Sequence, residues 1–474
     1  MRVDALPPAP ALRSASTPTS PGVPAWVSIA DSAALAALCL ALAVAIGGGF
    51  RVWLGSVRVA VTSPVGPLLA GLLLLVGRHA AYRRPDIGTR YWELLGAAAR
   101  TAAWRATWPV WTATRIGVLV VGTFAVVTVG YPRGEAPNRV SENEVVNLPM
   151  RWDAGWYYSI SRIGYEWNPL GTGQQNIAFF PAYPMLTRIV ARAFGGGATT
   201  YLVAGVLVSH AAFLWSLLLL YQLARSMLGE AAAAGAVALT AAYPFAVYHG
   251  AMYTESLFLL ASVGSFWEFR RERWARAAAW GLLAGLTRPN GFLLMVPLAV
   301  EAWVRRGAGR GVRRSAMAVV APLAGVAIFS LYIATLTGNP VQWSVHQQAW
   351  GRTFEGARPV LKVANDVAAL GIGEFVAANP YEVLNGAAVL LAAALVVPVW
   401  RRFGLSFALL LLVNLLPPLL LGGTMSMGRL TCTMFPIFLW LAAAAPRQVP
   451  VLVSVFAMLQ GLIAVLFYTW RPMV

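Results

Sequence analysis

The sequence predicts an all-α polytopic membrane protein, and three observations carry that prediction. Of the 474 residues, 58% are hydrophobic and only 11% charged, whereas a soluble domain carries about a quarter charged residues. Mean hydropathy is +0.65. Apolar runs recur from Trp26 to the C-terminus, most of them of a length that crosses about 30 Å of hydrocarbon. The net charge of +18, from 36 Lys and Arg against 18 Asp and Glu, would suit nucleic acid. The basic residues instead cluster in short loops between apolar runs, as membrane orientation requires, so membrane lipids and not nucleic acid are the expected surroundings. Cys39 and Cys432 both fall inside apolar runs and are expected as buried thiols, with no disulfide framework or metal-ligand spacing. A soluble enzyme, a DNA binder and a secreted disulfide scaffold are excluded.

The elements follow in order. Residues 1–25, with six prolines among Ser and Thr, read as a disordered cytoplasmic tail, and no cleavable signal peptide is predicted. Residues 26–114 form an N-terminal extension: two spans near Trp26–Phe50 and Ala60–Gly77, then a basic segment, Arg78–Arg115. Trp92, Leu95, Trp104 and Trp108 make that segment an expected interfacial amphipathic helix. Residues 115–474 are expected as one catalytic membrane domain. Its spans begin with Ile116–Tyr131 and end with Val449–Tyr468, for about thirteen in the whole chain. Putting the Arg clusters at 270–276, 305–314 and 401–402 inside turns two large loops outward, residues 132–199 and 338–382. The protein is thus expected in the cytoplasmic membrane, multi-pass, with any site in these loops facing out.

Two apolar segments are too short to span. Trp274–Leu286 and Phe292–Val304 flank Thr287-Arg288-Pro289-Asn290-Gly291, and 13 residues at about 1.5 Å each reach only about 20 Å. The break therefore sits within membrane depth, where unpaired backbone and a charge are tolerated only beside a cavity. A tilted pair at the rim, with Arg288 snorkelling to headgroups, is the alternative. The first outward loop carries Arg151-Trp152-Asp153-Ala-Gly-Trp156-Tyr157-Tyr158 and then Phe179-Phe180-Pro-Ala-Tyr183-Pro. A carboxylate among aromatic faces suits a sugar site in which Asp153 takes a proton from a hydroxyl. The same residues could form an interfacial aromatic belt, with Asp153 as a helix N-cap or a partner of Arg151. Glu255, in Tyr253-Thr254-Glu255-Ser256, could equally be a charge favoured at a helix N-terminus. His249 and His346 are candidates for sugar or phosphate contact, or structural polar residues.

Five motifs, Trp152-Asp153-Ala154, Ile160–Tyr165, Phe179–Pro184, Tyr253–Ser256 and Thr287–Gly291, occur in that order, with Met427-Gly428-Arg429-Leu430 and Phe435-Pro436 behind them. From about Arg115 onward the chain resembles the PIG-V mannosyltransferase family. The resemblance implies a GT-C-like fold and transfer of a sugar, typically mannose, from a polyprenyl-phosphate donor. It implies Asp153 as the base, Glu255 as the acid of the Tyr-Thr-Glu-Ser motif and Arg288 as the arginine of the Thr-Arg-x-Asn-Gly motif. The family's eukaryotic acceptor is not carried over, because nothing in the sequence identifies an acceptor; the Ala-, Arg- and Gly-rich composition, with Lys362 the only lysine, suggests a high-GC bacterium. The acceptor is left as a glycan, lipid or protein outside the membrane.

The chemistry needs one carboxylate, one or two cations and an apolar groove, because a lipid phosphate is already a good leaving group. Asp153 is the predicted catalytic residue. Trp152, Tyr157, His249, Tyr253, Glu255, Arg288, Asn290, His346 and Arg429 are the predicted substrate-binding residues. Inversion by single displacement is expected, with no cofactor and no indicated divalent metal. The competing reading is a transporter or lipid-sugar flippase, which broken helices also suit. The lack of an internal repeat and the acid-aromatic outer loop count against it.

Overall fold

The computed structural model describes residues 23–47, 50–54, 57–83, 85–132, 138–171, 173–305 and 312–471. Residues 1–22 of the expected tail lie outside the described residues. The chain divides into two compact units, Met1–Thr101 and Ala102–Val474.

In the first unit, helices Ala25–Gly47 and Val65–Ala81 pack together. They are joined through an antiparallel pair, Phe50–Leu54 with Val57–Val61, in which Phe50 faces Val61. Alternating β-branched and aromatic residues make this link a hairpin, the departure from helix in an otherwise helical chain. Helix Ile87–Ala99 starts at an N-cap, Asp86, whose carboxylate accepts the Thr89 N–H at 2.9 Å. The fully buried Asp31 holds the three helices: Arg78 Nε lies 2.7 Å from its Oδ1, and Arg90 pairs with its Oδ2. Arg90 also donates to Ser28 Oγ at 2.7 Å. Cys39, expected to be buried, is exposed on the first helix; a face turned to lipid satisfies an apolar thiol as well as a protein core does.

The second unit starts with helix Ala102–Thr128. The basic segment expected as one interfacial helix is therefore divided, and Trp104, Trp108 and Trp111 run into a long helix as a stacked ladder with centroids 5.0 and 5.2 Å apart. The boundary falls at Thr101, ahead of residue 114, because this helix runs unbroken past Arg115.

The count of about thirteen spans is not confirmed. Among the described residues, seven helices are long and apolar enough to cross a membrane, or eight if Glu230–Ala242 and Pro244–Gly250, bent by 77°, form one span. The other expected spans are helical but short: Val65–Ala81, Glu255–Arg270, Trp274–Thr287, Met295–Arg305 and Pro436–Ala444. Seventeen residues, the longest of these, reach about 26 Å. Nearly every side chain of Glu255–Arg270 is buried, so its all-round apolar sequence reflects a core helix wrapped in protein.

The bend at 77° leaves carbonyls that a regular helix would satisfy, since Pro244 has no N–H to continue the ladder. Arg115 donates to Ala246 O at 2.7 Å and Ala241 O at 3.2 Å. Gln460 donates to Ala241 O at 3.0 Å and Tyr243 O at 2.9 Å. The described residues of the two large loops form short helices. The first holds helices Ala154–Arg162 and Ala182–Ala193, the second Gln342–Val345, Arg358–Leu370 and Ile372–Ala378. A small core of Ile177, Phe180, Val326, Phe329 and Ile333 ties the first loop to helix Val312–Thr337.

Candidate active site

The site begins with a buried arginine that is not part of it. Arg151 is fully buried and donates to Tyr468 O at 2.8 Å, Asn147 O at 2.7 Å and Tyr131 Oη at 3.0 Å. Trp152 then takes a left-handed backbone, φ +53°, a conformation a bulky side chain adopts only when its surroundings impose it. That turn starts helix Ala154–Arg162 and sets Asp153 at its N-terminus. Asp153 makes no side-chain cap, and Arg151 spends its donors on carbonyls and Tyr131, so both structural readings of this acid fail. The Asp153 carboxylate pairs instead with Arg429 Nη1.

Arg429 comes from the other end of the chain, on helix Met427–Thr431. Ser426 before it is also left-handed, at φ +61°. Gly428 sits so close to Phe245 that a Cβ would lie 2.1 Å from the ring, so only glycine lets this short helix press against Pro244–Gly250. Arg429 lies over the Tyr253 ring at 4.6 Å and the Tyr248 ring at 5.7 Å, and its Nε pairs with Glu255 Oε1. Arg288 Nη2 reaches the same Glu255 oxygen at 3.3 Å. The chain of charges is Asp153, Arg429, Glu255, Arg288. Tyr253 fastens it to the first loop: its Oη accepts the Asp153 N–H at 3.1 Å and donates to Arg151 O at 3.0 Å.

Arg288 stands in the predicted helix break. Helix Trp274–Thr287 ends, Arg288 is extended, and a 3-10 turn, Pro289–Leu294, leads into Met295–Arg305. Gly291 lets the turn fold back on the helix it left; a Cβ there would lie 2.1 Å from Ala284 O. Arg288 is 7% exposed and paired inward, so it does not snorkel to a rim. Asn290 donates to Asn414 Oδ1 at 2.8 Å and fixes the turn to helix Leu405–Gly422.

These residues open onto a cavity of about 700 Å³. Of the predicted site residues, Trp152, Asp153, Tyr157, Tyr253, Arg288, Asn290 and Arg429 line it. Glu255, fully buried, stands behind the two arginines. His249 is no part of the lining: it is buried, stacked on Phe213 at 4.2 Å, with Nδ1 3.2 Å from Ser256 Oγ. His346 is also outside it, bonded to Gln342 at 3.2 Å. In both cases local packing holds the ring away from the cavity.

Sequence reasoning missed Arg352 and the aromatic wall around it, Trp343 and Trp350, which also line the cavity. Arg352 Nη2 donates to Met425 O at 3.1 Å, while its Nη1 is buried without a hydrogen-bond partner. Burial, with Arg429 nearby, pulls this guanidinium down to about 10, so it stays protonated at neutral pH. Arg288 Nη1 is likewise buried and without a partner. Burial pushes the Tyr157 hydroxyl up to about 12, so it serves as a neutral donor. Trp156 stacks on Phe179 at 5.8 Å and meets Trp350 edge-on at 5.6 Å, so that rings line this part of the wall. The cavity thus holds Asp153 among aromatic rings, together with two guanidinium nitrogens, on Arg288 and Arg352, that lack hydrogen-bond partners. Among the described residues, no group of three His, Cys, Asp or Glu is placed to hold a metal ion.

Residues 133–302 match the family described as mannosyltransferase (PIG-V). That segment includes Asp153, Glu255 and Arg288 and stops short of Arg352 and Arg429. No curated protein matches the chain. Among solved structures, it is similar to the Archaeoglobus fulgidus oligosaccharyltransferase tethered with an acceptor peptide, at 14% identity and a TM-score of 0.43, over 76% of this chain and 55% of that one. The complex of that enzyme with Zn and sulfate aligns at 16% identity and TM-score 0.36, over 74% and 53% of the two chains. Its apo form aligns at 14% and 0.38, over 75% and 55%. The chain thus spans just over half the length of these structures. Over the segment 133–302, a little over a third of the chain, the sequence is thus similar to the PIG-V mannosyltransferases.

Proposed function

We propose that the protein moves a mannose from a polyprenyl-phosphate donor to a hydroxyl of an acceptor outside the cytoplasmic membrane, by one inverting displacement. The observation that carries this reading is Arg429, held between the carboxylates of Asp153 and Glu255 at the wall of the cavity. Two further guanidinium nitrogens, on Arg288 and Arg352, lack hydrogen-bond partners there. Unpaired buried donors are costly, and a phosphate supplies the bidentate, charge-assisted acceptor that offsets the cost. The leaving phosphate belongs beside those nitrogens.

Asp153 is the one carboxylate among the lining residues. It is the group available to take the acceptor proton as the hydroxyl attacks the anomeric carbon. A retaining route needs a second carboxylate as nucleophile at the reacting carbon, and Glu255 is sequestered behind two arginines. Its role is a fixed counter-charge that orients them. Donor phosphate competes with Asp153 for Arg429. Binding therefore loosens the ion pair and leaves the Asp153 carboxylate free to accept the acceptor's proton when the substrate is in place. The arginine clusters between apolar runs in the sequence support an outward-facing site. Incubating purified protein with radiolabelled polyprenyl-phosphate mannose and a membrane extract tests the reading. Label appearing in a new glycoconjugate, lost in Asp153→Asn, is the expected result; donor left intact under all conditions refutes it.

A further inference from the structure

A second concavity of about 360 Å³ lies beside the main cavity, built from the loop that follows helix Ala154–Arg162. Trp156, Glu166, Trp167, Asn168, Gln174 and Asn176 are among its walls. Trp156 and Gln174 stand in the walls of both cavities, so whatever fills the second adjoins whatever is bound at Asp153.

The loop is shaped before any ligand arrives. Gln175 accepts the Asn168 N–H at 3.0 Å and donates to Asn168 O at 2.9 Å and Gly171 O at 3.0 Å. Asn176 accepts the Glu166 N–H at 3.1 Å and donates to Gly164 O at 3.0 Å. Trp167 is fixed by His346, which meets it edge-on at 5.0 Å. This explains the histidine that the main cavity does not use.

The chemistry of the walls selects an occupant. Indole faces present a flat apolar surface, and the carboxylate of Glu166 with the amides of Asn168 and Gln174 offers acceptors and donors around it. No Lys or Arg is among the lining residues, and an acid there opposes phosphate. A neutral pyranose, apolar on its C–H face and hydroxylated at its edge, fits both features. We propose that this concavity is a second sugar subsite, holding the unit next to the accepting sugar of a glycan acceptor. The assignment rests on the reading of the main cavity as a transfer site and deepens it, making the acceptor a glycan of at least two sugars.

Intrinsic tryptophan fluorescence of the detergent-purified full chain, titrated with methyl mannoside, mannobiose and mannotriose, tests this without requiring turnover. Mannotriose is expected to bind about tenfold more tightly than methyl mannoside. Trp167→Ala should abolish that gain, and Glu166→Gln, which keeps the exposed side chain's size, should reduce it. Methyl mannoside binding should be unchanged in both. Equal affinity for the three sugars, or a gain that survives in both variants, overturns the subsite. Transfer of label with no gain from chain length strikes the subsite alone. A gain from chain length without any transfer strikes the transfer reading alone.

Discussion

Arg429 and Asp153 are 276 residues apart in the chain and joined by an ion pair in the wall of the cavity. Each follows closely on a left-handed residue, Ser426 or Trp152. Backbone strain of about 1–3 kcal/mol at each such position persists only where the surrounding structure over-determines it. Here it aims two side chains at each other from opposite ends of the sequence. The proposed base is thus held in register by the C-terminal third of the chain, which the family segment does not reach.

Asp153→Asn keeps the size of the side chain and can still accept from Arg429, but cannot take a proton. Turnover should fall by about 100-fold or more with the fold intact. Single-turnover assays with labelled donor measure it. Near-normal turnover would remove Asp153 from the chemistry.

Arg288→Lys keeps a charge and loses the planar fork, so donor affinity should drop, and Arg288→Ala should lower it further. The acceptor Michaelis constant should change little, because the proposed mechanism assigns the acceptor hydroxyl to Asp153. Titration with a fluorescent polyprenyl phosphate reads the donor side directly. Unchanged affinity in a folded Arg288→Ala protein would leave Arg352 as the phosphate ligand.

Asp31→Asn leaves Arg78 and Arg90 facing each other without a carboxylate inside the N-terminal unit. Breaking one partner out of a buried ion group costs about 3–5 kcal/mol. Trypsin cleavage after Arg78 and Arg90, both buried, should therefore accelerate by about 100-fold or more. An unchanged cleavage rate would show that the triad does not stabilise the unit.

Orientation is checked by cysteines at three exposed positions, Leu170, Gln348 and Glu230. In intact cells an impermeant thiol reagent should label Leu170→Cys and Gln348→Cys but not Glu230→Cys. The reverse pattern would put the site on the cytoplasmic side and exclude a lipid-phosphate donor presented from outside.

The helical class, the broken pair around Arg288, and the candidates Asp153 and Glu255 were legible in the amino-acid sequence because each is a local property. Hydrophobic run length, a Pro-Gly interruption and an acid among aromatics are visible within a dozen residues. The number of full spans was not, since a buried core helix such as Glu255–Arg270 and a lipid-facing one have the same apolar composition. Nor was the fate of His249 and His346, which depends on Phe213, Gln342 and Trp167 reaching them first. Arg352 and the pairing of Arg429 with two acids were decided by tertiary structure alone. Burial strips water from a guanidinium, and the nearest carboxylate or carbonyl then becomes its partner, however distant it lies along the chain.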